Sequence, residues 1–150
     1  MKDKNLTAYC RLYCGDCIRF KCRAYDLSTI LWDELGKSRF QEYAKVKRHN
    51  AKELENYDSM ITALKVISAI KCEVPCRIGG DGCDGSCQII GCVKEKAIEG
   101  CWDCAEFKFC DKLNFLKPFH GDAPLKNLRK IKELGIDSWA KHREKCYPWI

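Results

Sequence analysis

Between the first and second groups of cysteines the apolar residues recur with a helical period. Leu27, Ile30, Leu31 and Leu35 fall on one stripe, with Asp26 or Ser28 placed as a cap and Gly36 as a stop. Phe40, Tyr43, Ala44 and Lys47 predict a second helix. Leu54, Tyr57, Ile61, Leu64 and Ser68 predict a third, because steps of three and four residues keep to one helix face. Positions 72 to 92 break the period with Pro75, five glycines and two aspartates, and read as irregular loop. Residues 97 to 110 suggest a short helix or turns. Pro124 suits a first helical position, and Leu125, Leu128, Ile131 and Leu134 define a helix that stops at Gly135. Asp137 or Ser138 caps a last helix to about Lys145. No strand, hairpin turn or internal repeat stands out. The predicted fold is mainly α: a small single domain, residues 1–150, with two Cys-rich irregular loop regions suited to metal binding.

Cysteine usage changes this picture most. The chain has 13 cysteines in 150 residues. No apolar run is long enough to span a bilayer. The opening residues, Lys2-Asp3-Lys4-Asn5-Leu6-Thr7, lack the apolar segment of a secretory signal. The expected location is therefore cytoplasmic, where thiols stay reduced. An odd count also cannot pair completely in disulfides. Metal ligation is the reading that uses so many thiols, since most of them sit among Gly, Asp and Lys rather than in apolar runs.

The spacings name the candidates. Cys10, Cys14 and Cys17 form a tight triad; Cys83, Cys87 and Cys92 form a second group; Cys101, Cys104 and Cys110 form a third. The expected arrangement is two centres. One uses Cys10, Cys14 and Cys17 with a fourth ligand from the second block, and the other uses four of the remaining Cys83 to Cys110 set. Cys22, Cys72, Cys76 and Cys146 are left without a role. Structural zinc takes four thiolates from short Cys-x2-4-Cys pairs. Iron–sulfur clusters take three thiolates from a tight run and one from afar. The Cys10/Cys14/Cys17 spacing is that of the radical-SAM cluster motif, and Cys101/Cys104/Cys110 resembles part of the auxiliary-cluster motif of such enzymes, although position 114 is Asn where that motif continues with Cys. The chain is too short for a radical-SAM barrel, so only ligand spacing is shared. A [4Fe–4S] cluster is preferred, with zinc as the alternative. Gly79, Gly80, Gly82, Gly85 and Gly91 would let backbone N–H groups approach sulfides, and Trp102, Phe107, Phe109 and Phe115 are candidates for excluding water. His49, His120 and His142 are not needed as ligands beside so many thiols.

The motif Cys10-Arg11-Leu12-Tyr13-Cys14-Gly15-Asp16-Cys17, together with Cys83 to Cys87, Cys92 and the run Glu95 to Cys110, resembles the Cys pattern of the domain of unknown function 3795 family. The segment Leu128 to Ile136 and Trp139 resemble its tail. The resemblance implies a small bacterial or archaeal protein, presumed to bind metal and otherwise uncharacterised. Arg11 stands where the family usually has Gly, and Lys108-Phe109 where Phe-Pro is expected.

For function, the first expectation is an iron–sulfur protein with an electron-transfer or redox-accessory role and an unknown redox or protein partner. The alternative is a structural zinc module that binds a protein or nucleic-acid partner. The chain has no P-loop, so no P-loop nucleotide chemistry is indicated. A thiol-catalysis reading through an unligated Cys22, Cys76 or Cys146 lacks a Cys/His/Asn arrangement to support it. Lys45, Lys47, Arg48, His49 and Lys52 form one basic run, but Glu53 and Glu55 interleave with it. The formal charge is +6, and two four-thiolate centres of about −2 each would remove most of it. Nucleic acid is therefore not expected as a partner, and no membrane role is expected.

Overall fold

A computed structural model describes residues 2–83, 85, 87–145 and 147–149. Among these, the protein is mainly helical, and the only β pairing is an isolated antiparallel bridge between Thr7 and Tyr13. The α-helices are α1 Asp3–Leu6, α2 Ile18–Lys21, α3 Ala24–Lys37, α4 Phe40–Lys47, α5 Tyr57–Ala69, α6 Gln88–Glu95, α7 Lys117–His120 and α8 Ala123–Leu134. One-turn 3-10 helices fill much of the rest, including Cys14–Asp16, Cys76–Ile78 and Cys101–Asp103. No described helix is long and apolar enough to cross a membrane.

The chain divides into two compact units. One comprises Met1–Lys21 and Cys72–Ile150, and the other Cys22–Lys71. The second unit is a helical hairpin of α3 against α5, joined through α4. The predicted face of α5 is the packed one: Tyr57, Ile61 and Leu64 are its less exposed positions. Of the predicted stripe of α3 only Leu35 is. Leu27, Ile30 and Leu31 are 53%, 58% and 46% exposed. The packed stripe is instead Tyr25, Ser28, Trp32 and Leu35, which also obeys helical spacing. Aromatic bulk decides the face: Trp32 receives the Lys65 ammonium over its ring at 4.9 Å, and Phe40 stacks on Tyr57 at 5.8 Å.

The first unit holds the main core. Leu128 and Ile131 of α8 pack with Ile89 and Val93 of α6, Trp102, Phe107, Leu113, Leu116 and Trp139. Each such side chain contributes about 1.5–3 kcal/mol when fully buried. The segment expected to be loop contains α6, because Ile89 and Val93 lie one turn apart and bury together despite Gly91 between them. The last predicted helix is only a 3-10 turn, Trp139–His142. Beyond it the backbone is extended and held by Asn127. The Glu144 N–H donates to Asn127 Oδ1 at 2.8 Å, and Asn127 Nδ2 donates to the Glu144 carbonyl at 3.1 Å. Two bonds from one buried amide replace the ladder a helix would have used.

Candidate metal centres

Two turns in the first unit are near copies. Cys14-Gly15-Asp16-Cys17 and Cys101-Trp102-Asp103-Cys104 each form a single 3-10 turn with Cys at its start and at its C-cap. The closing bonds match: Cys17 N–H to the Cys14 carbonyl at 3.0 Å, and Cys104 N–H to the Cys101 carbonyl at 3.3 Å. This winding brings two thiols to one side of a short loop. Each turn also has an aromatic ring folded over a glycine. A Cβ on Gly15 would stand 2.3 Å from the Tyr13 ring, and one on Gly100 would stand 2.3 Å from the Trp102 ring. The repeated Cys-x-Asp-Cys is the sequence signal of this shared turn, too short to stand out as an internal repeat.

The two aspartates anchor the turns differently. Asp16 receives a bidentate pair from Arg143, Nε and Nη2 each at 2.6 Å, while the guanidinium lies 4.5 Å over the Tyr13 ring. Asp103 accepts the Glu99 N–H at 3.2 Å.

Around these turns the thiols form two groups. Cys92, Cys101, Cys104 and Cys110 line one open cavity of ≈ 440 Å³. Cys10, Cys14, Cys17, Cys72, Cys76, Cys83 and Cys87 line another of ≈ 390 Å³, with Phe20, Phe115, Leu116 and Tyr147 supplying apolar wall. All nine thiols named from their spacing therefore face one of two cavities. Cys92 groups with Cys101, Cys104 and Cys110, whereas Cys83 and Cys87 group with the N-terminal triad. Cys72 and Cys76, left without a role by spacing, join that triad as well. Cys22 belongs to the second unit, and its sulfur accepts the Ala24 N–H at 3.3 Å. Cys146 and Asp84 lie outside the described residues. Of the expected shielding residues, Trp102 and Phe107 are buried, while Phe109 is 88% exposed and Phe115 is half-exposed.

Among the described residues, no three Cys, His, Asp or Glu side chains converge closely enough to hold a single metal ion. The thiols ring a space instead. Water takes about 30 Å³ per molecule in the liquid, so each cavity has room well beyond one ion.

Burial favours the protonated form of Cys10, Cys14 and Cys101. It pushes Cys10 and Cys14 far above the ordinary thiol range, and Cys101 up to about 11. Neighbouring thiols add to this. Cys76 and Cys83 act on Cys10, and Cys110, Cys104 and Cys92 act on Cys101. The buried Arg11 guanidinium opposes the rise at both Cys10 and Cys101. Lys96 Nζ approaches Cys104 Sγ at 3.7 Å. A metal bound by such thiols would have to displace their protons.

A family model described as "Protein of unknown function (DUF3795)" matches residues 6–115 of the chain. No curated protein and no solved structure matches it.

Proposed function

The chain belongs to the DUF3795 family of unknown function, and we propose that it is a Cys-ligated metalloprotein that binds iron–sulfur clusters and serves in electron transfer or as an accessory to a redox enzyme. The observation that carries this reading is that four thiols, Cys92, Cys101, Cys104 and Cys110, line one cavity. Four thiolates are the usual complement of a cluster.

When bound, such a cluster supplies one-electron transfer. The residues of this chain do the rest. Ile89, Val93 and Phe107 are buried and keep water from one side of the four-thiol cavity. Lys96 and the buried Arg11 place positive charge beside thiolates that are close together. The second centre draws on Cys10, Cys14, Cys17 and one further thiol of the seven-thiol cavity. The basic side chains give little support to nucleic-acid binding: Lys130 pairs with Glu144, Lys96 with Glu106 and Lys71 with Asp26.

The test is the visible absorption spectrum of anaerobically purified protein, with iron, zinc and acid-labile sulfide measured on the same sample. A brown protein with equal iron and sulfide supports clusters. A colourless protein with about two zinc ions per chain replaces them with structural zinc sites. A reconstituted protein with neither metal overturns the reading altogether.

A further inference from the structure

We propose that the cavity walled by Arg11, Lys108 and Lys117 is a binding site for a small organic carboxylate with an apolar body. The cavity measures ≈ 300 Å³ and lies wholly within the first unit. It backs onto the four-thiol cavity, with which it shares Phe107, Phe109, Cys110 and Leu113. A molecule bound there sits against the wall of that thiol group. The site does not depend on whether those thiols hold metal.

Charge selects the sign of the ligand. Arg11 is only 2% exposed and forms part of the buried wall. A guanidinium taken out of water gains more from a nearby anion than an exposed one does, because the local dielectric is low. Its planar fork also matches a carboxylate. Lys108 and Lys117 line the same cavity from exposed positions, and among the described residues neither is in an ion pair. Elsewhere in this unit lysines are matched by acids, as Lys96 is by Glu106 and Lys130 by Glu144. Against the three cations of the cavity stands one carboxylate, Asp111, which accepts the Asn114 side-chain amide at 3.0 Å. The lining therefore carries an excess of positive charge.

The apolar lining selects the body. Phe107, Leu113, Leu116 and Pro124 are buried, and Leu125 is half-buried. Phe109 also lines the cavity and is largely exposed, so a bound ring removes its apolar surface from water. A bare inorganic anion would leave this wall unused. About ten water molecules fill such a volume, which is the scale of a small aromatic or branched acid. Convergent cations over an apolar floor are the ordinary make-up of a small-molecule site.

The experiment titrates the full chain with benzoate, and separately with benzyl alcohol and inorganic phosphate, and follows backbone amide shifts by NMR. Benzoate is expected to bind saturably at millimolar concentrations, with shifts centred on residues 107–117 and 121–125. Benzyl alcohol keeps the ring without the charge, and phosphate keeps the charge without the ring. Each is expected to bind about tenfold more weakly. Lys108→Gln combined with Lys117→Gln removes two exposed charges without touching the core, and is expected to weaken benzoate several-fold. Lys132→Gln makes the same change at an exposed residue of α8 that does not line the cavity, and is expected to leave binding unchanged. Arg11→Gln is expected to abolish binding; if that variant does not fold, the lysine variants decide. A capped glutamate tripeptide is expected not to compete with benzoate. Competition would assign the cavity to an acidic side chain of a partner protein and overturn the small-molecule reading. No saturable benzoate shift at tens of millimolar, shifts centred elsewhere, or unchanged affinity in the double lysine variant overturns the site itself. Phosphate binding as tightly as benzoate overturns the carboxylate assignment.

Discussion

The backbone N–H of Cys101 donates to the carbonyl of Tyr9 at 3.2 Å. The same tyrosine is followed directly by Cys10, which lines the other cavity. One residue of backbone therefore touches a cysteine of each cavity. The two thiol groups are built against a shared segment, and what loosens one is felt by the other.

Removing metal is the first consequence to measure. Residues 72–110 carry eight cysteines and, among the described residues, only one α-helix, so bound metal is expected to supply much of their order. Chelation should speed amide hydrogen exchange across 72–110 and lower the thermal transition. Exchange within α3 and α5 should stay unchanged. A chelated protein that melts at the same temperature would count against the metal-dependent fold.

Arg143→Ala is expected to destabilise the protein by about 2 kcal/mol in urea unfolding, because it leaves the mostly buried Asp16 carboxylate without its bidentate partner. Lys37→Ala breaks an equally short ion pair with Glu34, but one that is exposed on both sides, and should cost far less. Equal losses would show that burial does not set the difference.

Trp139 is fully buried, meets Tyr13 edge-on at 6.0 Å, and donates from Nε1 to Thr7 Oγ1 at 3.0 Å. Trp139→Ala should cost about 3–5 kcal/mol. Trp139→Phe should cost less, because it keeps most of the ring volume and loses chiefly the bond to the buried Thr7 hydroxyl, worth about 1–2 kcal/mol. Denaturant unfolding of both variants separates packing from hydrogen bonding.

Gly15→Ala and Gly100→Ala should each cost about 1–3 kcal/mol, since the added methyl must move the Tyr13 or Trp102 ring. Near-ultraviolet circular dichroism should report the displaced ring. Gly36→Ala is the contrast: nothing lies within 4 Å of its added Cβ, and it sits in α3, so it should stabilise by about 0.5–1 kcal/mol.

The helices were legible where their burial follows simple periodicity. Tyr57, Ile61 and Leu64 of α5, and Leu128 and Ile131 of α8, face as their spacing predicts. On α3 two stripes compete, and the one bearing Tyr25 and Trp32 packs while the aliphatic one stays outside. Spacing also found nine thiols that line the cavities but not how they are shared. Cys76 lies 66 residues from Cys10, and only tertiary folding brings them to one cavity. Arg11 shows the same limit in the backbone. Its φ of 67° is in the left-handed region, which accounts physically for a Gly at that place in the family resemblance. The residue type alone could not announce the bend.

The Cys72 N–H donates to the Arg19 carbonyl at 2.8 Å, so the first unit closes on itself across a gap of some fifty residues. Topologically, Cys22–Lys71 is a detour: the chain leaves the thiol-bearing unit and re-enters almost where it left. A detour pinned at its base can lengthen, shorten or diverge with little loop-closure penalty and without moving a cysteine that lines either cavity. That gives the chain a place to acquire a new attachment while its sulfur scaffold stays constant.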